Sequence, residues 1–405
     1  MPSLVPVTTN RIGSHLPLLQ LLPADAQYSW VRGGEGLVGW GEYASITVSG
    51  KDRFDQVRAW WHQQLETFSV SNAVHGSGTG PVLFTSFSFD RNEESVAVIP
   101  RVIVGKKGDK SWITWIGDGP QPLLLDSAPD YLEQKFEWQQ GTLTEQQWGT
   151  RVAQAIAKID NSEIEKVVLA RDLIATTQSP IDVRPILNKL SENYPATWVF
   201  SVDGLIGATP ELLLRLSRGM VTSRVLAGTI PKTGDDARDL ALAGSLARSS
   251  KDLEEHEFAV RSVAEALEPF CSSTNVPDAP FVLHLANVMH LATDVTGALL
   301  ESAHHVDVFA LLKSLHPSAA VCGTPRNFAF DVIDEIEGMN RGRYAGPVGW
   351  IDARGDGELG IALRSGQVTE NQIRIFAGCG IVAGSDPVVE LAESNAKFSA
   401  MKSAL

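Results

Sequence analysis

The stretch FAGCGIVAGSDPVVELAESNAK, Phe376 to Lys397, decides how this chain is read. Ile373, Ile375 and Phe376 lead into it as an apolar strand, glycines at 378, 380 and 384 follow, and Asp386-Pro387 offers a helix N-cap with proline at the first helical position. On the helix that starts there, Glu390, Glu393 and Lys397 stand at i, i+3 and i+7 and share a face, while Val388, Leu391, Asn395 and Phe398 line another. The acidic stripe has two readings. It is a solvated face closed by a Glu393 to Lys397 pair, or it is a set of hard oxygen ligands for Mg²⁺ beside a glycine-rich loop whose backbone N–H groups hold an anion. The second reading points to a carboxylate substrate bridged by a metal. The spacing G-x-G-x-x-x-G does not suit a dinucleotide fold.

Bulk properties narrow the classes. The chain has 405 residues, 43% of them hydrophobic and 20% charged, an ordinary globular composition. A formal charge of −14 excludes nucleic acid and anionic membranes as expected partners, and an anionic substrate must therefore be held by local donors. Cys271, Cys322 and Cys379 lie far apart with no C-x-x-C, so neither a disulfide framework nor a zinc site is expected and a reducing cytoplasm is. His256-Glu257 begins a zinc-protease pattern that Val260 breaks. No run approaches the roughly 18 apolar residues of a membrane span, and Leu16–Leu22 is too brief and interrupted for a signal core.

Residues 1–145 read as a β-rich half with one helix in DRFDQVRAWWHQQLETF, and no chemistry is evident there. The polar segment 127–150 is the junction, and a second region, 146–405, follows, its first helix starting from Thr144. In EIEKVVLARDLIATT, Lys166 is in phase with Ile164, Val168 and Ala170, so it is either an edge-strand gatekeeper or a desolvated amine. Ser217-Arg218-Gly219 reads as a hairpin turn between two strands, with Glu211 opening the first. DARDLALAGSLARSSKDLEEHEFAVRSVAEALEPF is helical with a break near Ser249-Ser250. Glu255 leaves its apolar stripe for a face of small residues, Ala259, Ser262 and Ala266. His284 and His290 lie in strand-like runs. GELGIALRSGQV reads as one strand in which Arg364 ends the apolar run, suited to bidentate capture of a carboxylate.

Taken in order, EKVVLAR, GATPELLLR, LAGT, KDLEEHEFAV, MHLAT, LHPSAAVCGTP, RYAGPVGW, ALR and the opening stretch resemble the chorismate-utilising family, most closely its isochorismate synthases, over about residues 150–405. The resemblance implies an α+β fold, an α/β/β/α sandwich of two facing, mainly antiparallel sheets with helices outside, and a Mg²⁺-dependent site between the sheets. It implies that Glu255 and Glu393 hold the metal with Glu390 close by. It assigns Arg364, Tyr344, Lys397 and the amides near Gly378 and Gly380 to the enolpyruvyl carboxylate, and Gly228, Thr229 and His290 to the ring. Aminating members usually carry Gln where this chain has Lys166, and many aminodeoxychorismate synthases carry Lys where it has Ala227. The resemblance thus implies water as nucleophile, Lys166 as base and Glu211 as acid, with no glutaminase partner. A salicylate synthase and a non-catalytic chorismate-binding subunit are the alternatives.

Overall fold

Strands Glu35–Val48 and Ser95–Lys107 pair along their length, and two antiparallel arms grow from them. One arm passes through Gln27–Arg32, Trp198–Val202, Leu205–Thr209, Ser365–Thr369 and Gln372–Ile381 to Lys166–Thr176. The other passes through Val82–Ser86, Pro347–Asp352, Gly357–Ile361, Leu212–Ser217 and Met220–Pro231 to Val288–Leu299. The computed structural model describes residues 3–13, 15–161, 164–300 and 306–405. Among the described residues the strands form one network of 21, so the two facing sheets are arms of a single hydrogen-bonded sheet. The fold is α+β and mainly antiparallel. Residue 145 opens the helix Glu145–Asp160, and strands from either side of it pair with each other in both arms.

Helices cover the outer faces. Ser250–Leu267 packs on Met220–Pro231 and Val288–Leu299, and Pro387–Ala404 packs on Gln372–Ile381. The helix Glu145–Asp160 starts with a capping box, Thr144 accepting from Gln147 N while the Gln147 side chain accepts from Thr144 N. Such a cap contributes about 1 kcal/mol. Its Trp148 is buried and donates from Nε1 to Ala170 O at 3.1 Å, which fixes the helix against the strand that begins at Lys166.

Several local expectations hold. Arg218 and Gly219 both take positive φ, 51° and 78°, as a two-residue hairpin turn requires. The long helical segment breaks into Asp236–Leu246 and Ser250–Leu267, with Ser249 capping the second through Asp252 N. Two expectations are corrected. GELGIALRSGQV is two strands, Gly357–Ile361 in one arm and Ser365–Thr369 in the other, because the chain changes arms at Ala362–Arg364. The helix after Asp386 buries its acidic side: Glu390 is 1% exposed while Val388 is 76% exposed. Lysine partners make that burial tolerable, and the solvated-face reading falls.

Candidate active site

The arms enclose a small cavity, and its walls carry most of the residues singled out above. Glu211, Gly228, Thr229 and His290 come from the second arm, Gly378 and Gly380 from the first, and Glu255, Tyr344, Arg364 and Lys397 from the helices and loops beside them. The cavity is narrow, about 50 Å³.

Lys166 lies just behind this wall, fully buried in a strand paired on both sides. It is therefore no edge gatekeeper. Nor is it an isolated amine: Nζ is 3.3 Å from Glu255 Oε1 and donates to Glu255 O at 3.4 Å. Glu255 can approach because residue 380 is glycine; a Cβ there would collide with Oε1 of Glu255 and press on Cε of Lys166. Glu211 is 4% exposed, and burial raises its pKa to about 8 against the opposing fields of Lys166, Arg364 and Lys397. At neutral pH this carboxyl keeps its proton.

The cationic side of the cavity is built around His290. Its Nε2 accepts from Arg364 Nη2 at 3.1 Å, which leaves Nδ1 as the donor toward Thr229 Oγ1 at 3.1 Å and Gly228 O at 3.3 Å. Burial and then Arg364 push the His290 pKa well below its usual value, so the ring is neutral. Gly228 makes this possible. It sits at φ 74° in a bulge between Ala227 and Thr229, with Asp252 packed where a side chain would go. Arg364 is also left-handed, at φ 48°, and buried, a strained conformation at the point where the chain crosses between arms. Lys397 Nζ donates to Gly378 O at 2.8 Å and pairs with Glu393 at 2.5 Å. Burial opposes its charge, yet Glu393 and its other neighbours leave the pKa raised. Tyr344 stacks on Phe376, centroids 5.0 Å apart, and its hydroxyl reaches the space above Gly378.

The carboxylate cluster lies on the neighbouring helix. Ligand atoms of Cys379, Glu390 and Glu393 fall within 4.8 Å of one another, and the charges of Glu393, Glu390 and Glu255 all act on the Cys379 thiol, which burial already pushes well up. That thiol stays protonated and donates to Glu390 O at 3.2 Å. The oxygens suit a hard cation such as Mg²⁺ and the thiol does not. The donor set therefore fits the expected metal through Glu393, with Glu390 and Glu255 near. Each carboxylate has a lysine: Glu255 with Lys166, Glu390 with Lys251 at 2.7 Å, Glu393 with Lys397. Glu390 is held protonated more readily than usual, by burial and then by Glu393.

Four residues escaped the sequence reading. Arg341 lines the cavity, donates to Val168 O at 2.7 Å and Val321 O at 2.9 Å, and is clamped by Glu337. Lys251 stands one turn before Glu255 on the same helix, a spacing that could have exposed it. Ala320 and Val321 enter the wall from the LHPSAAVCGTP loop, and no side-chain chemistry marks them.

A buried protonated acid, a buried lysine, cationic anchors and a carboxylate cluster around one cavity define an enzyme site for a small anionic substrate. The chain belongs to the chorismate binding enzyme family, whose model matches residues 24–116 and 123–405. It is 32% identical over 403 residues to isochorismate synthase MenF of Bacillus subtilis (strain 168), covering 91% of this chain and 85% of that protein. Isochorismate synthase DhbC of the same organism is 32% identical over 360 residues, covering 84% and 86%. The solved structure of MenF, the menaquinone-specific isochorismate synthase from Escherichia coli, superposes with a TM-score of 0.81 at 23% identity, covering 100% of this chain and 96% of that one, which establishes the shared fold.

Proposed function

We propose that this chain is a Mg²⁺-dependent isochorismate synthase, converting chorismate to isochorismate. The observation that carries the reading is Glu211 in the cavity wall, protonated at neutral pH, with the fully buried Lys166 behind that wall close enough for its charge to act on the carboxyl. The two relatives named isochorismate synthase support it.

In this reading Arg364, Lys397, the Tyr344 hydroxyl and the backbone N–H groups near Gly378 and Gly380 hold the enolpyruvyl carboxylate, while Thr229 and neutral His290 face the ring. A divalent cation held by Glu255 and Glu393, with Glu390 beside them, would grip and neutralise the ring carboxylate. Parted from Glu255, Lys166 first releases its ammonium proton to solvent, and the free amine then takes a proton from water as the oxygen bonds to ring C2. The ring double bonds shift, the C4–O bond breaks, and Glu211 gives its proton to the departing hydroxyl, which leaves as water. Water is consumed and released, so the net change is an isomerisation. Solvent returns the proton from Lys166 to Glu211.

The salicylate-forming alternative would require pyruvate to be lost as well, and the non-catalytic one leaves the acid and base pair without a use. Incubation of the purified chain with chorismate and Mg²⁺ separates the three: isochorismate alone supports the proposal, and salicylate with pyruvate, or no turnover, overturns it. No glutaminase partner is expected, because the nucleophile is water; aminated product from ammonium salts would count against Lys166 as its base. Three free cysteines suit a reducing cytoplasm, and no described helix is long and apolar enough to cross a membrane. In this reading the isochorismate formed feeds menaquinone or siderophore synthesis.

A further inference from the structure

Away from the active site, a cavity of about 420 Å³ opens where the helices Arg53–Leu65 and Arg326–Ile336 begin and Val308–Leu315 ends. Its described walls carry Lys51, Arg53, Arg91, Lys313 and Arg326 against one carboxylate, Asp331. In a chain of formal charge −14, that concentration of cations is a local inversion. Asp55 pairs with Lys313 at 2.6 Å from outside the wall, and Asp90 acts on Arg53.

Arg53 is the telling residue. It is 6% exposed, its Nε has no partner, and its two terminal nitrogens reach only Gly50 O and Ser88 O, each at the limiting 3.5 Å. A buried guanidinium so poorly satisfied costs folding energy unless an acceptor reaches it. His316 beside it is 5% exposed and likewise has a partnerless nitrogen, Nδ1. Neither helix that opens here has a side-chain cap, so backbone donors also remain at both N-termini. The remaining wall is aromatic: Phe54, and Phe89 stacked on Phe330 at 5.6 Å.

We propose that this cavity is a second binding site, for a small planar carboxylate whose head sits on Arg53 and Arg326 and whose ring lies against the phenylalanines. Its contacts lead to the active site by two short routes. The Arg341 guanidinium, which lines the catalytic cavity, lies 4.2 Å from the centre of the Phe89 ring, and the segment from His316 runs directly to Ala320 and Val321 in the same wall. Occupancy is therefore placed to alter turnover without touching the substrate.

Titration calorimetry with benzoate, acetate and inorganic phosphate tests the assignment on the full chain, independently of turnover. Benzoate should bind at least about tenfold tighter than acetate or phosphate, and both Arg53→Met and Arg326→Gln should weaken it at least about tenfold. Arg326, less buried than Arg53, is the safer substitution, and turnover of Arg326→Gln without benzoate should match wild type. If Arg53→Met fails to fold, Arg326→Gln alone decides. Absence of saturable benzoate binding, equal binding of phosphate, or benzoate binding unchanged in Arg326→Gln would overturn the proposal.

Discussion

Nζ of fully buried Lys166 and Oε1 of partly buried Glu255 form an ion pair 3.3 Å long, and the carboxylate occupies the space that a side chain at residue 380 would need. Gly380→Ala should therefore displace Glu255 while leaving the fold intact, since Gly380 does not lie at positive φ. We expect turnover to fall by more than about tenfold with little change in Tm, because the active geometry shifts while the core does not. Wild-type turnover in this variant would show that Glu255 has no fixed place in the chemistry.

For the metal, Glu393→Gln and Glu255→Gln each remove one charge with little change of shape. Both should lower turnover sharply and raise the Mg²⁺ concentration needed for half activity. Binding of Mn²⁺, followed by electron paramagnetic resonance, should weaken in parallel. Full activity of Glu393→Gln at limiting Mg²⁺ would remove Glu393 from the ligand set.

For the acid and base, Lys166→Ala and Glu211→Gln should each lose about 10²–10⁴-fold in turnover, one proton transfer apiece. Chorismate should still bind to both, because Arg364 and Lys397 remain. Calorimetry and single-turnover assays separate the outcomes: lost binding with surviving chemistry in the bound fraction would make the residue an anchor.

Glu211 also sets a pH signature. Its folded pKa of about 8 lies above the ordinary 4.5, so between those values the folded chain retains a proton that the unfolded chain has released. Stability from this group is complete below the lower value and is lost as pH rises toward the upper one. Glu211→Gln is neutral throughout, so its Tm relative to wild type should rise across that window and level off above about pH 8. Wild-type turnover should fall through the same upper limit as the acid loses its proton. A flat Tm difference would mean that Glu211 is already ionised in the folded chain.

Glu337 holds the wall from behind. It accepts from Arg341 at 2.7 Å and from Ala170 N at 2.8 Å, with both side chains nearly inaccessible. Glu337→Ala leaves a buried guanidinium and an N–H uncompensated and should cost about 3–5 kcal/mol, measurable by urea denaturation. A loss below about 1 kcal/mol would show that Arg341 finds other acceptors.

The sequence by itself determined the local pieces and, through its motifs, the family. Asp386 as cap, the Thr144 capping box, the Arg218-Gly219 turn and the helix break at Ser249 each depend on chemistry within a few residues, so the local sequence contains their cause. The motif resemblance also named many of the residues that line the cavity, though not Arg341, and it named Lys166, Glu390 and Glu393, which lie outside its wall. What it could not supply was their pairing: Lys166 with Glu255, Glu337 with Ala170, His290 with Arg364 are each separated by scores of residues, and only the packing of helices and loops on the strands brings them together. The same holds for the helix after Asp386. Its periodicity shows two faces, but the buried one is chosen by the lysines and glycines that other strands and helices bring to it, and those arrive only with the tertiary fold.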